Sequence, residues 1–403
     1  MPRINVGLIG QGYVATTLAL GVERIKKGSI KPYGVPFADA EMEYRIEDIV
    51  FTSSLDVDES KIGKTLAEVA AQYYPDLDIP ETLKEVVVER GVHLGSTRGL
   101  PINARGLEEG EASLEEAVER IVKLWEKTKP DVLVHLITTE KTGKLSSWKE
   151  LEEKIKHGDV KSLSASQVYF YAAMLYAETV KPVAFINAIP ATLARDPVVV
   201  EAASARKSLI LGDDGASGAT PLTSDLLEHL AERNRHVLGV VQFNIGGNMD
   251  FYALLDPNRN VAKEETKSSI VKDILGYDAP HFIKPTGYLE PLGDKKFVSM
   301  LIEYISFNGA KDELIVNARI NDSPALAGLL VDVIRLAKSA LDRGYKGTIY
   351  EINAFFMKSP GPAGSKSISR IVAYQVLVDW MLRNKIIPRP PRYSVHDFIP
   401  CKP

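Results

Sequence analysis

Residues 4–28, INVGLIGQGYVATTLALGVERIKKG, decide the fold. A short apolar run stops at a glycine turn, and an amphipathic stretch continues to about Lys27. That pattern predicts a buried strand, a tight turn and a helix. Gly10, Gln11, Gly12, Tyr13, Val14 and Ala15 make a GxGxxA turn at the junction. Gly10 permits the turn, Gly12 lets a pyrophosphate approach the backbone, and Ala15 allows close helix–strand packing. The helix N-terminus adds amide donors and a positive dipole end. A tight turn without a ligand is the competing reading.

Further along, the same alternation returns. IEDIVFTSSLDVD (46–58) predicts a second strand ending near Asp56 and Asp58. Residues 113–140 predict a helix capped by Ser113, a break at Pro130, and a strand running into Thr138 and Thr139, two cofactor-side candidates. SASQVYFYAAMLYAETVKPVAFINAIP (164–190) repeats helix then strand, and SLILGDDG (208–215) ends in an acidic glycine loop. Strands apolar on both faces, alternating with helices, indicate an α/β chain with a doubly wound, Rossmann-like parallel sheet. After about Gln242 the apolar period becomes two, as in KFVSMLIEYISFN (296–308) and DELIVNARI (312–320). From Asn321 a helical stripe resumes. The expected organisation is a dinucleotide-binding domain, 1–242 and 322–403, interrupted by an α+β catalytic and oligomerisation domain, 243–321.

Composition sets the outer limits. A chain of 403 residues with 45% hydrophobic and 25% charged residues is an ordinary globular chain of about two domains. A net charge of −4 argues against a general nucleic-acid surface. One cysteine, Cys401, forbids an intrachain disulfide and suits a reducing cytoplasm. The N-terminus does not read as a signal peptide, and no apolar run reaches the roughly 20 residues of a membrane span. The expectation is a soluble cytoplasmic protein with neither nucleic acid nor membrane as partner.

Several segments carry candidate chemistry. A ribose-binding acid normally follows the glycine turn by about 20 residues. Here Asp56 and Asp58 come later, behind the insert at 28–48, and Asp56 is preferred. No basic residue follows immediately to hold a 2′-phosphate, which favours NAD over NADP. In GDDGASGAT (212–220), Asp213, Asp214 and Ser217 suit a sugar or nicotinamide ribose, or else form a polar loop. FNIGGNMDF (243–251) offers Asn244, Gly247, Asn248 and Asp250 for phosphate or hydroxyl oxygens, with a bulge or hairpin as the alternative. Lys263 and Lys267 stand four residues apart before Ser268 and Ser269, as a solvated face or as an anion site. NDSPALAG (321–328) reads as a helix start with Asp322 or Ser323 as N-cap. Lys358, between FFM and a proline-glycine turn, is either a partly desolvated acid–base lysine or a loop lysine. No zinc spacing, serine-hydrolase elbow or P-loop is present.

Taken in order, the GxGxxA turn, GDDGASGAT, FNIGGNMDF, KEETKSSIVKDIL (263–275), NDSPALAG and FFMKSPGP (355–362) resemble the myo-inositol-1-phosphate synthase family in its compact prokaryotic form, and the version found in thermophilic bacteria above all. The resemblance spans nearly the whole chain. It implies conversion of D-glucose 6-phosphate to 1D-myo-inositol 3-phosphate with NAD, through C5 oxidation, enolisation, intramolecular aldol closure and re-reduction. By position it implies Lys263, Lys267, Lys296 and Lys358 as active-site lysines, with Lys295 and Lys311 as alternatives to Lys296. Lys358 would move the C5 hydroxyl proton, Lys263 would stabilise an oxyanion, and Lys267 would bind phosphate. Asn248, Ser268 and Ser269 would hold phosphate or sugar oxygens. Asp214, Asp250 and Asp322 would orient lysines, nicotinamide or a cation. A divalent cation and a homotetramer are family expectations. One departure is Pro221, where relatives often carry a lysine. The alternatives are an NAD(P)-dependent dehydrogenase of homoserine or amino-acid type with net NADH release, and an inactive nucleotide-sensing relative.

Overall fold

A computed structural model describes residues 2–110, 113–255 and 270–391. Six strands build the first sheet: β1 (Ile4–Ile9), β2 (Ile49–Asp56), β3 (Val88–Arg90), β4 (Val132–His135), β5 (Ala184–Asn187) and β6 (Leu209–Leu211). Their order is β3-β2-β1-β4-β5-β6, and every pair is parallel. Every residue of β4, β5 and β6 is buried, which is why their sequences are continuous apolar runs rather than alternating ones. Strand order reverses between β1 and β4, so a crevice opens at their carboxyl ends.

Helices cover both faces. Helix Tyr13–Lys26 packs with helix Asp322–Asp342 on one side, where Leu18, Val22, Leu330, Val333, Ile334 and Ala337 share a core with β1 and β4. On the other side, Leu114–Thr128 packs with Ala165–Thr179 around Ile121, Trp125, Phe170 and Tyr176. Burying each such large apolar side chain contributes roughly 1.5–3 kcal/mol. Helix Leu114–Thr128 starts as expected. Ser113 accepts from the Glu116 amide, and Glu116 accepts from the Ser113 amide at 2.7 Å.

The period-two segments form a second sheet. It contains β7 (His236–Gly246), β8 (His281–Tyr288), β9 (Lys295–Ile305) and β10 (Lys311–Asn321), in the order β10-β9-β7-β8. Residue 243 lies inside β7. Strand β8 runs parallel to β7, whereas β9 pairs antiparallel with both β7 and β10. Val298, Met300, Ile302 and Tyr304 alternate inward from β9 onto Leu227 and Leu230 of helix Ala219–Ala231. The opposite face leaves Phe243, Phe282 and Ile315 exposed.

The helix from Asp322 departs from its expected start. Asn321 occupies the N-cap without a side-chain cap bond. The Ser323 amide instead donates to Asp294 at 2.9 Å, and its hydroxyl donates to the same carboxylate at 2.7 Å. A cap supplied from 29 residues away frees the Asp322 carboxylate for another partner. It also ties the start of β9 to the helix that packs on the first sheet. Among the described residues, no helix is long and apolar enough to cross a membrane.

Candidate active site

A cavity of about 450 Å³ lies over the carboxyl ends of the first sheet and is roofed by residues from the second. Its glycine-turn end includes Gly10, Gly12, Tyr13, Val14, Asp56, Asp58 and Lys61, and Thr138 lines the wall between. Its far end includes Asp214, Ser217, Asp250, Lys296, Asp322 and Lys358.

Gly10 has φ +91°, and a Cβ there would sit 2.7 Å from the backbone of Leu136 and Ile137. Only glycine lets the turn pass so close to the exit of β4. At Gly12 a Cβ would meet nothing within 4 Å, so the residue faces open space. Helix Tyr13–Lys26 begins there without a side-chain cap, which leaves its first amides for an anion. Gln11 and Ala15 lie behind this surface. The Gln11 side chain is fully buried, donating to Thr16 and accepting from Ser54, and Ala15 packs in the core. A glycine turn open at Gly12, an uncapped helix and acids at the end of β2 fit a dinucleotide.

Asp56 holds this end together. Its Oδ2 accepts from the Gln11 amide at 2.7 Å and from Lys61 at 3.3 Å. Its Oδ1 accepts from the amides of Val57 at 2.7 Å and Asp58 at 2.9 Å. Lys61 also lies 3.6 Å from the Asp58 carboxylate. Burial would lower the pKa of this ammonium, but Asp56, Tyr73 and Asp58 outweigh burial and raise it. Lys61 is one functional candidate that the sequence reading missed.

At the far end, chain pairing decides which acid faces in. Gly215 bridges Met357, and the Lys358 amide donates to the Asp214 carbonyl at 2.6 Å. The Lys358 ammonium then meets Asp214 Oδ1 at 2.9 Å, both side chains being buried. Asp214 Oδ2 is buried without a hydrogen-bond partner among the described residues. Asp213, its neighbour, turns the other way. Its carboxylate accepts from Asn187 and from the amides of Leu193, Ala194 and Arg195, so it shapes the wall rather than lining the cavity. Burial pushes the Asp213 carboxyl up to about 7, against these donors.

Lys296, on β9, donates to Asp322 at 2.9 Å. Gly218, with φ +72°, makes room: a Cβ there would lie 2.5 Å from the Lys296 ammonium. Burial raises the Asp322 pKa, but Lys296 and then Lys358 outweigh it and hold the carboxyl below its ordinary value. Ser217 reaches the same Asp322 oxygen at 3.4 Å. Lys295 and Lys311 are exposed, so Lys296 is the one of these three lysines that lines the cavity.

Thr139 donates to Asp250 at 2.9 Å, linking the β4 exit to the roof. Asn248 caps helix Met249–Ala253 through the Phe251 amide and donates to Asp294 at 3.3 Å. Asp294 is the second missed candidate. It binds both Asn248 and Ser323, and burial raises its pKa. Asn244 lines the cavity, but its amide donates to the Lys284 carbonyl and its oxygen accepts from Gln242. Gly247 is needed for packing, since a Cβ would lie 2.5–2.8 Å from backbone atoms of Leu289, Glu290 and Gly293. Lys263, Lys267, Ser268 and Ser269 lie outside the described residues. Among the described residues, no group of three or more His, Cys, Asp or Glu side chains is arranged to hold a metal ion.

Comparison with known proteins gives a consistent picture. The sequence model of myo-inositol-1-phosphate synthase matches residues 218–323. Inositol-3-phosphate synthase of Corynebacterium glutamicum is 30% identical over 377 residues, covering 89% of this chain and 93% of the relative. The enzyme of the same name from Mycolicibacterium smegmatis is 28% identical, covering 91% of this chain and 96% of the relative. The crystal structure of a myo-inositol-1-phosphate synthase-related protein from Thermotoga maritima superposes with a TM-score of 0.89. It is 55% identical, covering 94% of this chain and 98% of that one.

Proposed function

Because the chain belongs to the myo-inositol-1-phosphate synthase family, we propose that it cyclises D-glucose 6-phosphate to 1D-myo-inositol 3-phosphate with no net redox change. The observation that carries this reading is the meeting of two lysine–aspartate pairs, Lys358–Asp214, buried, and Lys296–Asp322, partly buried, at the end of the cavity away from the glycine turn. A simple dehydrogenase needs one proton acceptor. An aldol cyclisation also needs cations beside the oxygens that become negative at C5 and C1.

Gly12, the first amides of helix Tyr13–Lys26 and the Asp56 end would hold NAD, which would supply reversible hydride chemistry. Lys358 is proposed to move the C5 hydroxyl proton, with Asp214 holding it in position. Lys296 places positive charge beside a developing alkoxide, and Asp322 fixes its position. Asn248, Met249, Asp250, Phe251 and Leu254 line the cavity from the second-sheet side, over these charges. Lys263 and Lys267 are proposed, from the resemblance, as the oxyanion and phosphate contacts. Ser268 and Ser269 are proposed beside them at the substrate oxygens.

We also propose a two-domain division, with the second sheet, from β7 at His236 to the end of β10 at Asn321, as the tetramer contact. Its open face, carrying Phe243, Phe282 and Ile315, suits burial against another copy. The functional test supplies D-glucose 6-phosphate and trace NAD⁺ without an external reductant. Inositol phosphate is expected to accumulate with no stoichiometric NADH.

A further inference from the structure

The segment that follows Lys358 doubles back on it. The Ser367 hydroxyl donates to the Lys358 carbonyl at 3.0 Å, and the Ser367 amide donates to Asp273 at 3.0 Å. Ser369 then caps helix Arg370–Arg383 through the Val372 amide at 3.3 Å. Arg370, the first residue of that helix, is buried, and its Nη1 donates to the carbonyl of Ala354, four residues before Lys358. It does not line the cavity.

The charge of this guanidinium is only partly matched. Its Nε and Nη2 have no hydrogen-bond partner among the described residues. The acidic groups whose field reaches it come from three elements: Asp225 of helix Ala219–Ala231, Tyr350 of helix Tyr350–Phe356, and Asp214 of the loop after β6. Asp225 Oδ1 accepts from the amides of Arg370 at 2.7 Å and Ile371 at 3.2 Å, and the Tyr350 hydroxyl donates to the Lys366 carbonyl at 2.9 Å. Asp214 gives Oδ1 to Lys358 and keeps Oδ2 buried, without a partner among the described residues. Asp322, itself paired with Lys296, also lies in the field of Lys358. Burial pulls the Arg370 pKa down to about 10 against Asp225, Tyr350 and Asp214, so the group stays a cation at neutral pH. Asp214 therefore acts on two buried cations.

We propose that Arg370 is a positioning residue for the cyclisation, sharing Asp214 with Lys358 so that the carboxylate holds the lysine in place without fixing the proton on it. A carboxylate serving one ammonium alone favours the charged lysine and opposes its accepting a proton. A second cation nearby works against that preference by repulsion. Arg370 reaches neither cofactor nor substrate and acts by its charge through Asp214. The inference rests on the reading of Lys358 as the group that moves the C5 hydroxyl proton.

The test is the pH dependence of kcat for inositol phosphate formation by the full chain with NAD⁺ and D-glucose 6-phosphate, from about pH 6 to about pH 10. Arg370→Gln removes the charge and keeps a donor for the Ala354 carbonyl. Its rising limb is expected about one unit above that of wild type, with kcat about tenfold lower below the limb and KM within about twofold. Arg370→Lys keeps the charge and stays within about 0.3 unit of wild type. Asp225→Asn removes an opposing charge outside the cavity, and its limb moves to lower pH. A purely structural residue would lower kcat equally at every pH. That result, or an unmoved limb in folded Arg370→Gln, overturns the inference alone. If Arg370→Gln does not fold, Asp225→Asn decides, and an unmoved limb there overturns it. Full activity in Lys358→Met, or a wild type that forms no inositol phosphate, overturns the underlying reading and this inference with it.

Discussion

Lys358 and Asp214 are 144 residues apart in sequence, yet their side chains meet at 2.9 Å and their backbones at 2.6 Å. The backbone contact matters as much as the ion pair. It locks the loop after β6 to the segment after helix Tyr350–Phe356, so the ammonium cannot drift from the cavity without breaking a strand-like pairing. Asp214→Asn keeps the shape and loses the charge. A fall in kcat of about 10²-fold with a smaller change in KM is expected, because misplacing the lysine proposed as the acid–base group would affect the transition state more than ground-state binding. Steady-state kinetics on the folded variant check this.

Lys296 is the nearer of the two lysines that, against burial, hold the Asp322 carboxyl below its ordinary pKa. A depressed carboxyl contributes stability above the unfolded value, near 3.9, and that stability is lost as pH falls through the folded value. Lys296→Met removes the cation from a buried carboxylate, so the folded value rises. Thermal melts across the acid range should show the variant losing stability at higher pH than wild type. Identical acid limbs would contradict the pairing.

The two glycines of the turn should fail differently. Gly10→Ala places a methyl 2.7 Å from the Leu136–Ile137 backbone at φ +91°, so it should lower Tm and disturb folding. Gly12→Ala meets no protein atom within 4 Å. It should melt like wild type while NADH affinity falls by at least about tenfold, since the methyl occupies the approach of the pyrophosphate. Calorimetry and a fluorescence titration on the same preparations separate the two effects.

Asp213 carries a pH signature of its own. Its folded pKa, pushed up to about 7 by burial, exceeds the ordinary carboxyl value. A carboxyl raised in this way contributes stability that is complete below the unfolded pKa and is lost as pH rises through about 7. Asp213→Asn cannot ionise. The difference in Tm between wild type and this variant should therefore shrink steadily from pH 5 to pH 8, each Tm being read by differential scanning calorimetry.

Much of this was legible in the sequence, for local reasons. The turn at Gly10–Ala15, the buried runs of β4 to β6 and the alternation in β9 depend on chemistry within a few residues, and periodicity reports it. The family resemblance is likewise matched by the relatives. What stayed hidden depends on distant pairing. Asp213 and Asp214 are identical in sequence, and only the bridge between Gly215 and Met357 determines which one meets Lys358. Lys61 stands five residues beyond Asp56, and the loop must turn back before the two meet. Asp294 caps a helix 29 residues away, a relation that no local spacing contains.

The proposed reaction is an internally balanced redox cyclisation with Lys358 at its centre. The direct measurement follows products by phosphorus NMR and NADH by absorbance, with D-glucose 6-phosphate, trace NAD⁺ and either wild type or Lys358→Met. Wild type is expected to make inositol phosphate far in excess of added NAD⁺ with no stoichiometric NADH, and the variant to lose at least about 10³-fold in activity. Stoichiometric NADH without inositol phosphate, or full activity in Lys358→Met, would contradict it.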